Sequence, residues 1–171
     1  TDLRNFVFLV WQHLGLPSPT PLQYSICEFL QEGHKRIIIE GYRGIGKSYL
    51  TATYVLHQLL LDPQKNILVV SASKSRADDF STFTLRLINE IDVLAHLRPL
   101  ESQRQSKVSF DVRPARASHA PSVKSLGITS QLTGSRSDLV ISDAVETSQN
   151  SATMGMRDKL STQVKEFESI I

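Results

Sequence analysis

Cys27 is the only cysteine among 171 residues, so no disulfide can form within the chain. Its place in an apolar helical pattern reads as a core thiol and not a nucleophile. His13, His34, His57, His96 and His119 are scattered without the close spacing of metal ligands, which argues against a zinc site. No stretch approaches the roughly 20 apolar residues of a membrane helix, and the leading residues lack the charged-then-apolar pattern of a secretory signal. An intracellular protein with no membrane partner is the expectation. Net charge is also scarce, at +2. One segment is biased: Arg98, Arg104, Lys107, Arg113, Arg116 and Lys124 face only Glu101 and Asp111, and the favoured reading is a solvated loop face.

What is present is the material of one ordinary globular domain, 40% apolar and 21% charged. Leu3, Phe6, Val7, Val10, Trp11 and Leu14 share a helical face that Gly15 stops. A second helix starts at Thr20-Pro21, carries Leu22, Ile26, Cys27 and Leu30, and ends near Gly33. RIIIE, residues 36 to 40, reads as a strand buried on both faces, followed by a helix to about Leu61. NILVVSAS reads as a second such strand, and Ala77, Phe80, Leu87, Ile88 and Ile91 align along a helix from about Lys74. KVSFDV and VKSLGIT predict shorter strands and LVIS another buried one, while Met156, Leu160, Val164, Phe167 and Ile171 mark a last helix. Strands alternating with helices predict a three-layer α/β fold with a mainly parallel central sheet.

The loop between the first strand and its helix is GYRGIGKS. Gly41, Tyr42, Arg43, Gly44, Ile45, Gly46, Lys47 and Ser48 satisfy the G-x-x-x-x-G-K-[ST] phosphate-loop pattern in the strand-to-helix setting that its mechanism needs. Glycines let main-chain N–H groups curl around an anion, Lys47 reaches the β and γ phosphates, and Ser48 ligates magnesium. Tyr49, on the first turn of the helix, joins this ATP-binding set. LVISD is the matching Walker B strand, with Asp143 as the second magnesium ligand. The strand inserted between the two motifs suits the additional-strand branch of P-loop NTPases, to which ATP-driven motors belong.

Four further positions bear on the chemistry. In PTPLQ, Gln23 is placed either to hydrogen-bond adenine or to close a capping box with Thr20. Arg43 inside the loop and Arg136 ahead of the Walker B strand are the candidates for meeting γ-phosphate charge. Ala144 stands directly after Asp143, where such enzymes keep an acidic residue to activate water. It reads as an inactivating substitution that leaves ATP bound and unhydrolysed, with Glu146 as the competing base.

Taken in order, GYRGIGKS, VSASK, PSVKSLGITSQLTGSRSD and NSATMGMRDKL resemble the large terminase subunit of tailed bacteriophages, most closely the podovirus DNA maturase type. That resemblance implies an ATPase domain over residues 1–171, with helices and a candidate adenine segment in 1–33 and a P-loop core in 34–171. It also implies a ring, expected to be pentameric, that pumps double-stranded DNA into a procapsid in the host cytoplasm without staying in the virion. The portal protein and small terminase subunit are its implied partners, and Arg136 its implied finger onto a neighbour. The family's ribonuclease-H-like nuclease is expected to be absent from this chain. Two other readings share the motifs: a helicase-like ATPase acting on nucleic acid, and a non-catalytic ATP-gated assembly module.

Overall fold

The computed structural model describes residues 2–132, 136–143, 154–165 and 167. The chain divides into two compact units, Thr1–Leu61 and Asp62–Ile171.

The first unit is helical. Helix α1, Leu3–His13, is capped by Asp2, whose side chain accepts from the Arg4 N–H, and it buries Leu3, Phe6, Val7, Val10 and Trp11. The Arg4 guanidinium holds the Asp2 carboxyl down at about 2. Helix α2, Pro21–Gln31, begins with a complete capping box on Thr20. Gly15 and Gly33 follow the two helices with φ of 70° and 76°, left-handed conformations that glycine adopts without steric cost. The side chain of Gln31 ties the helices together, accepting from Leu3 N–H at 2.7 Å and donating to Asp2 at 3.2 Å. Cys27 is buried, and burial pushes its thiol up to about 11, which keeps it protonated and unreactive. Helix α3, Lys47–Leu61, packs against α1 and buries Leu50, Ala52, Thr53, Val55, Leu56, His57 and Leu59.

The second unit is α/β. Its sheet runs β2-β3-β1-β4, with β1 (Ile67–Ser71), β2 (Ser109–Phe110), β3 (Val123–Gly127) and β4 (Leu139–Asp143). The pairs β1–β3 and β1–β4 are parallel, and β2 joins β3 antiparallel, so the sheet is mixed. Every residue of β1 is buried, as a central parallel strand requires. Helix α4, Lys74–Glu90, is capped by Ser73 and packs on β3, β1 and β2. Leu68, Val70, Ile128 and Leu132 form a core cluster, against which Leu126, Val140 and Phe167 pack. This architecture is compatible with a P-loop NTPase fold.

At the C-terminal end of β3, Gly127 lies against the start of α4. A Cβ there would stand 2.7 Å from Lys74 N and 2.9 Å from Ser73 C, both main-chain atoms that cannot swing aside. Gly127→Ala is therefore expected to destabilise the fold by about 1–3 kcal/mol, read as a lower denaturant midpoint at unchanged slope. An unchanged midpoint would show that the β1–α4 turn yields freely.

Four sequence expectations need correction. RIIIE is not a strand: a ladder needs a neighbour offering N–H and C=O groups in register, and among the described residues none pairs with 36–40. Three β-branched side chains favour a strand without supplying that partner, and Ile38 is 85% exposed. LVIS is a strand but not a doubly buried one: none of its residues is fully buried, and among the described strands β4 is the last in the sheet. Helix α5, Met154–Lys165, exists, yet Met156 and Val164 on its expected apolar face are exposed. Of the segment KVSFDV, only Ser109 and Phe110 pair as a strand, since the chain turns away on both sides.

The basic segment is more structural than its composition suggests. Arg98 Nε donates to the Ile88 carbonyl, Arg113 Nε to the Arg98 carbonyl, and Arg104 to Asp111, Ser118 and His119. These arginines satisfy a carbonyl in the last turn of α4 and carbonyls of the loops that follow, and Arg104 also pairs with the Asp111 carboxylate.

Candidate functional site

The residues of the G-x-x-x-x-G-K-[ST] pattern, Gly41 to Ser48, lie in the first unit. Gly44 and Gly46 have φ of 96° and 87°, which side chains with a Cβ rarely adopt. These two glycines allow the loop to curl between residue 40 and the first turn of α3. Ile45, between them, turns inward and is buried. Its side chain occupies the space that a Cβ on Gly41 would enter, at 3.3 Å, so the loop closes on its own isoleucine.

Lys47 opens α3 and folds back over the loop. Its Nζ donates to the Gly41 carbonyl at 2.5 Å and to the Tyr42 carbonyl at 3.3 Å. The ammonium is thus held above the loop by two neutral acceptors that a phosphate oxygen would outbid. Leu50 N–H bonds to the Gly46 carbonyl, which begins the helical ladder there. The Gly46 N–H, by contrast, finds no acceptor among the described residues. Together with the positive dipole end of α3, this N–H and the Lys47 ammonium are donors suited to an anion.

Gln23 reaches this loop from α2. Its Oε1 accepts from Thr20 N–H at 2.9 Å, and Thr20 Oγ1 accepts from Gln23 N–H at 3.2 Å, completing the capping box. Its Nε2 donates to the Ile45 carbonyl at 2.8 Å. Both amide groups therefore have partners in this structure. Each retains a second hydrogen-bonding position, one N–H and one lone pair, with which a nucleobase could be met.

Trp11 is the contact that sequence reasoning missed. Its ring edge lies 3.9 Å from the point where a Gly46 Cβ would sit, and it meets Tyr49 edge-on with centroids 6.2 Å apart. The helical stripe of α1 identifies Trp11 as core, but nothing in residues 1–14 tells which segment covers it.

Arg43 and Tyr42 point outward from the loop, Tyr42 with 68% of its surface exposed. Arg43 has no partner among the described residues. Ser48 follows Lys47 on the first turn and is exposed.

The Walker B candidates belong to the second unit. Asp143 is the last residue of β4, in register with Ser71 at the C-terminal end of β1, the sheet edge at which α/β proteins bind ligands. Asp138 fixes the opposite end of the strand, its carboxylate accepting from Asn66 N–H at 2.9 Å while its own N–H donates to the Asn66 carbonyl at 2.8 Å. Arg136 is exposed two residues before that anchor. Ala144 and Glu146 lie outside the described residues.

Comparison with known proteins gives one close relationship and one blank. No protein-family model matches the chain. Over 171 residues, 99% of its length, it is 48% identical to the large terminase subunit of Enterobacteria phage T3. It spans 29% of that relative's length. The resemblance drawn from the motifs is borne out over nearly the whole chain.

Proposed function

We propose that this chain, as a relative of a phage large terminase subunit, is the ATPase part of a DNA-packaging motor. The observation that carries the reading is the phosphate loop: two glycines at positive φ, an unpaired Gly46 N–H, and Lys47 held over the loop at the head of α3. Gly41 to Ser48 would cradle the triphosphate, with Tyr42 and Tyr49 flanking it and Gln23 placed for adenine. Ser48 and Asp143 are the proposed magnesium ligands. A magnesium ion held by these two side chains would supply positive charge against the triphosphate.

Arg43 and Arg136 are proposed to meet the γ-phosphate, Arg136 from a neighbouring copy in a ring of about five subunits. Double-stranded DNA is the proposed track, and the portal protein and small terminase subunit the partners, in the host cytoplasm. No described helix is long and apolar enough to cross a membrane. Ala144 supports an ATPase that binds nucleotide and hydrolyses it poorly, and it equally favours the non-catalytic assembly module as a second reading.

Because the chain has one tryptophan and that residue lies under Gly46, its fluorescence reports on the loop directly. Titration with Mg-ATP is expected to change Trp11 emission saturably, with a matching calorimetric heat. Folded chain that shows neither signal at high excess of ligand would end the motor interpretation. Nucleotide-dependent ring assembly would favour packaging over a helicase-like role.

A further inference from the structure

We propose that Gln23 is a positioning residue for the phosphate loop, holding the Ile45–Gly46 peptide in the orientation that accepts phosphate. This rests on the reading of that loop as a triphosphate site and deepens it. A capping box needs only the oxygen of the side chain three positions after the cap, and glutamate serves it as well as glutamine. At Gln23 that requirement is met by Oε1 on Thr20 N–H. The Nε2 donor is therefore surplus to the helix cap, and it is spent on the Ile45 carbonyl at 2.8 Å.

The peptide so held is the one with most need of an anchor. It joins Ile45 to Gly46, whose positive φ and missing Cβ leave that side of the peptide freer to rotate than any other residue would. Carbonyl and N–H of one planar trans peptide point in opposite directions. Holding Ile45 O toward Gln23 turns the Gly46 N–H away from it, and that N–H is the donor left without a protein acceptor. Rotation of the same peptide would present a carbonyl oxygen to an arriving phosphate and repel it. Gly46 also makes the contact sterically feasible, since a Cβ there would lie 3.2 Å from Gln23 Nε2. The N-terminus of α2 is thereby a scaffold for the loop, independent of any base that Gln23 also reads.

Two substitutions separate the roles. Gln23→Glu keeps the acceptor that closes the capping box and removes the donor to Ile45; Gln23→Met removes both without adding charge. The probes are magnesium tripolyphosphate, which has no base, and Mg-ATP, each titrated by calorimetry into the full chain. Gln23→Glu, which keeps the α2 cap but loses the bond to Ile45, is expected to unfold slightly below the parent's midpoint and to bind both ligands about tenfold more weakly. Gln23→Met is expected to show the same loss for both ligands with a lower unfolding midpoint. If Gln23→Glu weakens ATP alone, the residue reads only the base and the proposal is overturned, while the ATPase reading stands. Loss of tripolyphosphate binding in the glutamate variant but not in the methionine variant would also overturn it, as an effect of charge. A parent chain that binds neither ligand would remove the ATPase reading and this inference together.

Discussion

An Ala144→Asp chain is expected to hydrolyse ATP in a single turnover roughly a hundred- to ten-thousand-fold faster than its parent, the usual contribution of a positioned general base. The argument begins at DLVISDAVE. Asp143, the proposed magnesium ligand, closes β4 in register with Ser71 at the C-terminal end of β1, and position 144 is the next residue along. An alanine methyl neither accepts a proton nor orients water. The groups proposed to hold the triphosphate are elsewhere, on Gly41 to Ser48, so the affinity for Mg-ATP should change by no more than about twofold between parent and revertant. A rise in rate at constant affinity is the signature of an interaction made only in the transition state. Glu146 offers the competing outcome: if it already activates water, the parent turns over, the revertant gains nothing, and Glu146→Gln abolishes the activity. A revertant that binds ATP tightly and still fails to hydrolyse it would favour the assembly module.

Much of the scaffold was legible before the structure, and the failures share one cause. The stripe of α1 shows in apolar spacing and is buried, whereas of the expected α2 stripe only Cys27 is buried and Leu22 is exposed; Gly15 and Gly33 stop the two helices through the left-handed conformation that glycine tolerates. NILVVSAS reads as a doubly buried strand because a central parallel strand is apolar on both faces, and β1 is buried throughout. RIIIE satisfies the same local rule and is not a strand, since pairing depends on a neighbour that no local pattern specifies. LVISD likewise has the composition of a central strand and is the last of the described strands in the sheet. At the site, the P-loop pattern identifies the glycines, and the structure gives Gly44 and Gly46 the conformations that demand them. The capping box in PTPLQ was readable from spacing alone, because all its atoms lie within four residues. The bond from Gln23 to Ile45 spans 22 residues and the approach of Trp11 to Gly46 spans 35, and neither leaves a periodic trace.

Lys47→Ala is expected to weaken Mg-ATP binding by roughly ten- to a hundredfold, corresponding to one charge-assisted hydrogen bond to phosphate. In this structure the ammonium already donates to the Gly41 and Tyr42 carbonyls, so the substitution has two consequences that a single affinity would merge. It removes a cation from the triphosphate, and it also releases the tie between α3 and the start of the loop. Lys47→Arg distinguishes them. A guanidinium keeps the positive charge and can still bond carbonyls, but its planar fork on a longer side chain does not place a point charge between β and γ phosphates. If charge placement dominates, arginine should recover little of the affinity and the loss should shrink as salt is added, because screening weakens the parent's contact. If the tie dominates, arginine should recover most of it, and Trp11 emission in the nucleotide-free alanine variant should already differ from the parent. An alanine variant that binds within about twofold of the parent would mean that Lys47 does not touch phosphate at all, and the loop would then hold its ligand through main-chain amides alone.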